Sequence, residues 1–218
     1  MKRRTFITKD GSSSIYVENL EESYHSHFGA LAESLFIFIE SGLKYSEANP
    51  VNILEIGFGT GLNALLTLDE AVNSKRKTNY YTIEKYPLST SEWESLNYPD
   101  LSVIHNPKEF EKLHNVNWSE WHNLNDYFSL FKSKTDLHDF STHLRFDIIY
   151  FDAFSPEIQP DLWTEEIFSK LYRLLNPKGL LLTYSVKGTV KRALKSAGFH
   201  IKRIPGPEGK RVIMRARI

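Results

Sequence analysis

The segment from Leu54 to Leu62 constrains the fold of this chain more than any other part of the sequence. It reads Leu-Glu-Ile-Gly-Phe-Gly-Thr-Gly-Leu, and a leucine-rich helical pattern follows it. Glycines at alternate positions let the main chain turn sharply and approach a ligand closely, because no Cβ atom is in the way. The segment predicts a strand, a loop that binds a nucleoside-containing ligand, and the first turn of a helix.

Strand-like and helix-like patterns alternate along the rest of the chain, which predicts an α/β fold with a doubly wound, mostly parallel, Rossmann-like sheet. Strands are predicted over residues 53–56, 80–83, 103–104, 146–151 and 179–184, and helices over 30–43, 61–71, 89–96, 164–175 and 189–197. A closing pair over 199–204 and 211–216, joined around 205–209, predicts a C-terminal antiparallel strand.

Two other segments have less regular patterns. Asp10 and Gly11 lie between β-prone residues and predict the turn of an N-terminal β-ribbon over residues 1–20. Residues 106–145 have no clear period, and we expect an insertion there with one strand near 127–131. The whole length, 218 residues, suits a single domain over 1–218 with a buried core.

Composition excludes several classes of protein. The 27 basic and 27 acidic residues balance, so the overall charge does not favour a nucleic-acid or membrane partner. The absence of cysteine excludes disulfides and thiolate metal sites and fits a reducing compartment. No apolar stretch follows the basic first residues, so we expect a cytoplasmic protein with no membrane anchor and no metal.

The acids near the glycines indicate the kind of ligand. Gly57, Gly59 and Gly61 are spaced as G-x-G-x-G, unlike the G-x-G-x-x-G of dinucleotide sites. A carboxylate at Glu55 would repel phosphates and suit a cationic ligand. Glu84, 23 residues after Gly61, follows the next strand, where an acid accepts hydrogen bonds from ribose hydroxyls. The set favours S-adenosylmethionine over NAD, the alternative being a simple tight turn with a solvated Glu84.

Asp152 is the candidate catalytic residue. It follows the apolar run 146–151, so it lies at the carboxyl end of a predicted central strand, where open α/β sheets bind ligands. A carboxylate at this place can orient an amine toward a sulfonium methyl group and stabilise the charge that develops on the amine. A helix N-cap or a turn acid before Pro156 explains Asp152 equally well.

Motifs from residue 21 onward carry a more specific resemblance. They are EESYHS at 21–26, LEIGFGTGLN at 54–63, YFDAFSP at 150–156, LWT at 162–164, TYSVKG at 183–188, VKRAL at 190–194, GF at 198–199 and PGPEGKR at 205–211. In these motifs the chain resembles the methyltransferase half of MnmC, which also occurs alone as MnmD. The resemblance implies a class I fold that uses S-adenosyl-L-methionine.

The same resemblance implies a substrate and a reaction. The family methylates the aminomethyl group of a modified wobble uridine in the tRNA anticodon, converting 5-aminomethyl-2-thiouridine to 5-methylaminomethyl-2-thiouridine. The family aspartate in D-[AG]-F-[AS]-P maps onto Asp152, which would contact the amine. No counterpart of the oxidase half of the fused proteins is seen, so another enzyme of wobble-uridine modification must supply the free amine.

Together the motifs and the resemblance define a set of expected site residues. They are catalytic Asp152; cofactor-binding Glu55, Gly57, Phe58, Gly59, Gly61, Asn63 and Glu84; and substrate-binding Tyr24, His25, Phe154 and Lys187. The family commonly has a Gly-Asp pair for the adenine amino group after the strand before Asp152. Residues 130–136 read LFKSKTD instead, and Asp136 is the acid that a shifted loop would bring there.

Two groups of residues suit an RNA partner, although each has a simpler explanation. Trp118, Trp121 and Trp163 could stack on an anticodon base, but packing in the core is favoured. A late run of basic residues could face phosphates or form an ordinary solvated surface. Its members are Lys187, Lys191, Arg192, Lys195, Lys202, Arg203, Lys210, Arg211, Arg215 and Arg217.

Two alternative functions remain open at the level of sequence. A methyl- or aminopropyltransferase acting on a small amine would use the same fold and a related cofactor, although no further acid cluster near Asp152 is evident. A binding protein that has lost its activity would not need the acids and glycines described above, and their presence argues against it.

Overall fold

The structure is a computed structural model, and it describes residues 1–206 and 212–218. The strands are β1 Arg3–Ile7, β2 Ser13–Val17, β3 Glu22–Ser23, β4 Val51–Ile56, β5 Thr78–Ile83, β6 Trp121–Asn125, β7 Phe128–Ser133, β8 Phe146–Phe151, β9 Leu175–Thr183, β10 His200–Pro205 and β11 Val212–Arg217. The helices are α1 Ala30–Ser34, α2 Leu62–Ser74, α3 Thr90–Glu94, α4 Lys108–Asn115, α5 Glu165–Leu174 and α6 Gly188–Ser196. A π-helical segment, Leu35–Leu43, continues α1, and 3-10 turns lie at Glu18–Leu20, Tyr98–Asp100 and Pro160–Trp163.

Eight strands form the main sheet, in the order β10-β11-β9-β8-β4-β5-β7-β6. The five central strands are parallel, and β11, β10 and β6 pair antiparallel at the two edges. The chain runs outward from β4 through β5 to β7 and then returns to β8 on the other side of β4. Ligands bind where strand order reverses in this way, at the carboxyl ends of β4 and β8. The predicted doubly wound sheet and C-terminal antiparallel strand are confirmed.

Both faces of the central strands are buried, which explains why β4 and β8 read as continuous apolar runs. Ile53 and Ile148 belong to the core that the sheet forms with α2, α4 and the π-helical segment. Leu54 and Ile149 point to the opposite face and pack in the core with α5 and α6. The alternation along each strand therefore assigns every side chain of β4 to one of two separate cores.

The predicted N-terminal ribbon is confirmed, and its turn caps the start of α1. Its strands β1 and β2 pair antiparallel, and β3 adds a short third strand. In the turn between them, Asp10 Oδ2 accepts a hydrogen bond from the N–H of Ala32 at 2.9 Å, and Ser12 Oγ accepts one from Leu31 at 3.1 Å. These side chains satisfy the free N–H groups at the start of α1. The ribbon thus anchors residues 24–29, which lie between β3 and α1.

The structure corrects some of the predicted elements. No strand forms at 103–104: the N–H of Ile104 donates to the Leu101 carbonyl in a turn, and its side chain is buried. Within 106–145 the predicted strand is β7, but a second strand, β6, extends the sheet. The sequence of β6 is mostly polar because β6 is an edge strand with half-exposed residues. The predicted connection around 205–209 lies partly outside the described residues.

Helix α4 is tied to β7 and to the glycine loop by two buried basic side chains. Lys132 Nζ donates to the carbonyl oxygens of Leu113 and His114 at 2.8 and 2.7 Å, which satisfies acceptors at the helix end. Burial lowers the pKa of Lys132 to about 8. Burial, followed by the charge of Lys132, lowers the pKa of His114 to about 3. The neutral ring stacks on Trp93 at 4.8 Å and donates from Nε2 to the Thr60 carbonyl at 3.2 Å.

A stability measurement can test the state of His114. The pKa of His114 is about 3 in the folded chain and ordinarily 6.5, so the unfolded chain binds the proton first as the pH falls. The free energy of unfolding should therefore drop as the pH falls below about 6.5, with a loss of about 2 kcal/mol between pH 7.5 and pH 5 from this group.

Denaturant titrations of wild type, H114Q and the control H143Q would measure this pH dependence. H114Q should have the shallower slope, whatever its stability at neutral pH, and H143Q should match wild type because His143 is exposed. Equal slopes for wild type and H114Q would contradict the assignment.

Candidate active site

A cavity of about 480 Å³ opens at the carboxyl edge of the main sheet, at the point where strand order reverses. Its floor is formed by the loop after β4 and by the ends of β5 and β8. The segment after β3 lies over it. Expected site residues in its lining are Tyr24, His25, Gly57, Phe58, Gly59, Asn63, Glu84, Asp152 and Phe154. Glu55, Gly61 and Lys187 are not part of the lining.

The glycine loop has its shape because of what packs against it. Gly57 has a φ of +93°, and a Cβ at this position would lie 2.9 Å from the carbonyl oxygen of Asp152. Gly59 has a φ of +51°, and its Cβ would lie 3.0 Å from the Tyr24 ring. Both positions combine left-handed backbone with a contact too close for any side chain. Gly61 starts α2 beside His114 instead of facing the cavity, contrary to expectation.

Glu55 does not face a ligand, and the expectation that its carboxylate attracts a cation is wrong in this respect. Its side chain is fully buried beneath the loop, on the face of β4 that packs against α2. The hydroxyl of Thr82 donates to Oε2 at 2.7 Å. Burial raises the pKa of Glu55 well above its usual value, which favours the neutral carboxylic acid over the carboxylate.

Asn63 connects the glycine loop to Asp152. It lies in the first turn of α2, and its Nδ2 donates to Asp152 Oδ2 at 2.8 Å. The main-chain N–H of Asp152 donates to the carbonyl of Ile56 at 3.0 Å. The carboxyl group is therefore held from two sides, by α2 through its side chain and by the end of β4 through its backbone. The sequence identified Asn63 as a cofactor contact and gave no signal for this bond.

Two more acids follow the next two strands of the sheet. Glu84, after β5, accepts hydrogen bonds from the N–H groups of Gly59 and Tyr86 at 3.0 and 2.8 Å. Asp136, after β7, also lines the cavity and pairs with Lys85 Nζ at 2.6 Å. The hydrogen bond from Lys85, followed by that from the His138 backbone, holds the pKa of Asp136 well below its usual range.

The roof of the cavity is aromatic. The Tyr24 ring meets the Phe154 ring edge-on at 5.0 Å, and burial raises the pKa of the Tyr24 hydroxyl so that it stays protonated. His25 Nδ1 lies 3.0 Å from Ser14 Oγ in the ribbon. Phe154 is fixed by its N–H, which donates to Gln159 Oε1 at 3.0 Å. Lys187 forms an ion pair with Glu157 outside the lining, so its expected substrate contact is not seen.

The tryptophans pack rather than face the cavity. Trp163 is buried and donates from Nε1 to the Phe154 carbonyl at 2.8 Å. Trp118 lies over Lys132, with Nζ 4.9 Å from the ring centre. Trp121 is exposed on the edge strand β6 and lines a different, smaller depression.

The late basic residues divide into three groups. Arg215 is buried against Tyr45, with the guanidinium carbon 3.3 Å from the ring centre, and cannot face phosphates. Lys210 and Arg211 lie outside the described residues. The remaining basic side chains are exposed or half-exposed; they are Lys191, Arg192 and Lys195 of α6, Lys202 and Arg203 of β10, and Lys187 and Arg217.

Comparison with known proteins decides the family. A family profile described as "S-adenosyl-L-methionine-dependent methyltransferase" matches residues 103–218, more than half of the chain. The chain belongs to this family. The match begins after the glycine loop and covers α4 and all the strands from β6 to β11, including the strand that precedes Asp152. The class I methyltransferase fold and the family cofactor, S-adenosyl-L-methionine, agree with the expectations from sequence.

Named relatives make the resemblance more specific. The chain is 31% identical over 209 residues to the "tRNA 5-methylaminomethyl-2-thiouridine biosynthesis bifunctional protein MnmC" of Campylobacter hominis, which covers 93% of this chain and 31% of the relative. The MnmC of Aromatoleum aromaticum is 31% identical over 208 residues, with 89% of this chain and 32% of the relative covered. The chain thus spans about a third of the length of these relatives. The crystal structure of MNMC2 from Aquifex aeolicus superposes with a TM-score of 0.81 at 27% identity, covering 99% of this chain and 69% of that chain.

The cavity of this methyltransferase fits S-adenosylmethionine on its own chemistry. Carboxylates after β5 and β7, Glu84 and Asp136, are acceptors that suit a ribose diol and an exocyclic amine. The glycine loop brings main chain between them and Asp152. Six carboxylates line the cavity and favour a cationic ligand over a phosphate; they belong to Glu22, Glu33, Glu84, Asp136, Asp152 and Asp161. Glu84 and Asp136 would hold the nucleoside, and the loop would hold the remainder.

Within residues 1–206 and 212–218 there is no group of three or more histidine or acid side chains placed to hold a metal ion. In the same residues no helix has the length and apolar character needed to cross a bilayer.

The variants E55Q and E84Q test which of the two acids contacts the cofactor as a charged group. E55Q replaces a neutral acid by a neutral amide, so the Kd of S-adenosylhomocysteine in calorimetry should stay within about twofold of wild type. E84Q removes a charge that accepts two backbone N–H groups at the cavity wall, and the Kd should rise about tenfold or more. A tenfold loss in E55Q would mean that Glu55 acts as a charged contact after all.

The stability of E55Q adds an independent readout. The folded wild type keeps the Glu55 proton above pH 4.5 while the unfolded chain loses it, so wild-type stability falls as the pH rises above that value. E55Q lacks this effect, and its advantage in free energy of unfolding should grow between pH 5 and pH 8. A constant difference across that range would contradict a neutral Glu55.

Proposed function

We propose that this chain is an S-adenosylmethionine-dependent N-methyltransferase that converts 5-aminomethyl-2-thiouridine to 5-methylaminomethyl-2-thiouridine at the tRNA wobble position. The observation that carries the proposal is the Asp152 carboxylate, which lines the cavity at the end of β8 and is held by Asn63 at 2.8 Å. The names of the MnmC relatives supply the substrate, and the Aquifex structure supports the fold.

Asp152 prepares the amine. An alkylamine is mostly protonated at neutral pH and has no lone pair to offer, so a nearby base must take a proton before methylation. Asp152 is the acid at this strand end that faces the cavity, and the hydrogen bond from Asn63 to Oδ2 fixes the orientation of its carboxylate. When bound, S-adenosylmethionine supplies the electrophilic methyl group. Asp152 releases this proton to solvent before methyl transfer, so that its carboxylate is charged again and stabilises the positive charge that the nitrogen gains.

The other lining residues bind the cofactor and shield the amine from water. Tyr24 and Phe154 form an apolar wall above Asp152, which keeps water from the amine and strengthens its attraction to the carboxylate. Glu84 and Asp136 accept the hydroxyl and amino hydrogens of the adenosine. Gly57 allows the loop to lie against the Asp152 backbone, so cofactor and acid are set at a fixed separation.

The RNA would approach from the open side of the cavity. The exposed basic side chains on α6 and β10 offer phosphate contacts beyond the anticodon loop. A tRNA substrate implies a cytoplasmic enzyme that acts after the enzymes that install the aminomethyl group on the wobble uridine.

One observation favours a second candidate, a transferase for a small cationic amine. Glu22 and Glu33 line the same cavity as Asp152, and both raise the pKa of the buried Tyr184 hydroxyl, after the larger effects of burial and of Asp152 itself. The sequence gave no sign of this acid cluster. It would suit a polyamine, and turnover of free putrescine without RNA would support that function.

The proposal is tested with undermodified tRNA and labelled S-adenosylmethionine. Wild type should place the label in the wobble nucleoside after digestion and chromatography. D152N and D152A should fold, bind S-adenosylhomocysteine within a few-fold of wild type, and lose about a hundredfold or more in kcat, which is typical for removal of a general base. D139N is the matched control, since Asp139 is exposed and outside the cavity lining.

The outcomes separate the candidates. No label in the wobble nucleoside with putrescine turnover intact would replace the tRNA function by the small-amine function. Full activity in D152N would remove Asp152 from the reaction and leave the substrate assignment standing.

A further inference from the structure

The mouth of the cavity has exposed aromatic rings. Most large apolar side chains in the described residues are buried, yet Phe28 is 57% exposed, Tyr86 is 46% exposed, and both line this cavity. Met1, 56% exposed, lies in the same lining. Exposed apolar residues scattered singly are ordinary, but several around one opening indicate a binding surface. The deeper cofactor contacts, at the glycine loop and Glu84, do not account for these rings.

Each ring has a lysine beside it. Lys9 Nζ lies 4.6 Å from the centre of the Phe28 ring, and Lys85 Nζ lies 5.3 Å from the centre of the Tyr86 ring. The two pairs come from different parts of the chain, one from the ribbon turn and the segment before α1, the other from the loop after β5. An aromatic plane next to a positive charge is the combination that binds a nucleobase and its phosphate.

The backbone under both rings is fixed, so the rings are presented in place. The N–H of Lys9 donates to the His27 carbonyl at 3.0 Å, and the N–H of Phe28 donates to Ser26 Oγ at 3.2 Å. On the other side, Arg3 Nη2 donates to the Tyr86 carbonyl at 2.8 Å. Ordered platforms of this kind lower the entropic cost of binding a flexible strand.

We propose that Phe28 and Tyr86 form a stacking rim for the nucleotides that flank the uridine entering the cavity, with Lys9 beside a phosphate. This rests on the proposed function, and it names the part of the enzyme that distinguishes an RNA loop from a free nucleoside. A uridine drawn into the cavity leaves its neighbours unstacked, and each then needs an aromatic surface. The two rings, on separate walls of one opening, supply it.

Other occupants fit this rim less well. A protein interface excludes lysine from its centre, whereas here a lysine accompanies each exposed ring. Lys85 is also held by Asp136, which couples the rim to the wall that would bind the nucleoside of the cofactor. This ion pair between the rim and the cofactor wall is expected if the substrate strand passes close to the cofactor. It is not expected at an unrelated docking surface.

The test compares two substrates of different length. A short anticodon stem-loop with 5-aminomethyl-2-thiouridine at the wobble position has flanking bases, and the free nucleoside has none. F28A and Y86A should each lower the preference for the stem-loop, the ratio of the two kcat/KM values, by about tenfold, as expected for the loss of one stacked base. F28W and Y86F should restore most of it.

Controls separate stacking from general damage. W121A removes an exposed aromatic that is not in the cavity lining and should leave the preference within twofold of wild type. Fluorescence anisotropy with a labelled, unmodified stem-loop should show a matching loss of affinity in F28A and Y86A. Unchanged affinity and preference in both variants would overturn the rim, and so would an equal loss on the free nucleoside.

The role of Lys9 is measured separately, from the salt dependence of stem-loop binding. K9A should reduce the slope of log affinity against log salt for the stem-loop by about 0.7, the value for one phosphate contact on a single strand. K108A, an exposed lysine at the start of α4, should not change it. If wild type methylates no RNA, the proposed function fails, and the anisotropy and salt data alone decide the rim: weakened binding supports it and unchanged binding overturns it.

Discussion

The junction between the ends of β4 and β8 is the interaction on which the rest of this structure depends. The Asp152 N–H bonds to the Ile56 carbonyl, and Gly57 lies so close to the Asp152 carbonyl that a Cβ would reach 2.9 Å. Asn63, in the first turn of α2, then donates to the Asp152 side chain. Loop, helix and Asp152 are thereby held together as one unit, and in the proposed reaction a small displacement of any of them would misplace the reacting groups.

Burial divides the acids of the site into two kinds. Glu55 is removed from water on all sides and is neutral, so it acts as a packing and hydrogen-bonding group beneath the loop. Glu84, Asp136 and Asp152 stand at the cavity surface, where main-chain N–H groups, Lys85 and Asn63 support them. A charged Glu55 would place a negative group in the core, where the hydrogen bond from Thr82 only partly offsets the cost of removing that charge from water.

The N-terminal ribbon belongs to the site although it is outside the main sheet. Its turn caps α1 through Asp10 and Ser12, which sets the position of the segment that bears Tyr24, His25 and Phe28. Tyr24 closes over Gly59, and Phe28 stands at the opening. The residues over the glycine loop and the proposed stacking rim are therefore positioned by the same hydrogen bonds, which would couple cofactor binding to RNA binding in the proposed function.

Local sequence determined much of this protein. Apolar residues that repeat every two or 3.6 positions located the central strands and most helices. Asp10-Gly11 located the ribbon turn. The acids that follow predicted strands identified Glu84 and Asp152 as cavity residues. The mostly polar strand β6 was missed because an edge strand has no apolar period, and 103–104 was misassigned because two β-branched or apolar residues also suit a buried turn.

Only the tertiary structure decided which way the side chains face. Glu55 adjoins the glycines in sequence but points away from the cavity because strand alternation turns it toward α2. The contacts expected for Gly61 and Lys187 stay predictions: Gly61 starts α2 beside His114, and Lys187 pairs with Glu157. Phe28 and Tyr86, far apart along the chain, meet at one opening because the ribbon and the end of β5 converge there. Such convergence is a long-range property, and a local pattern contains no information about it.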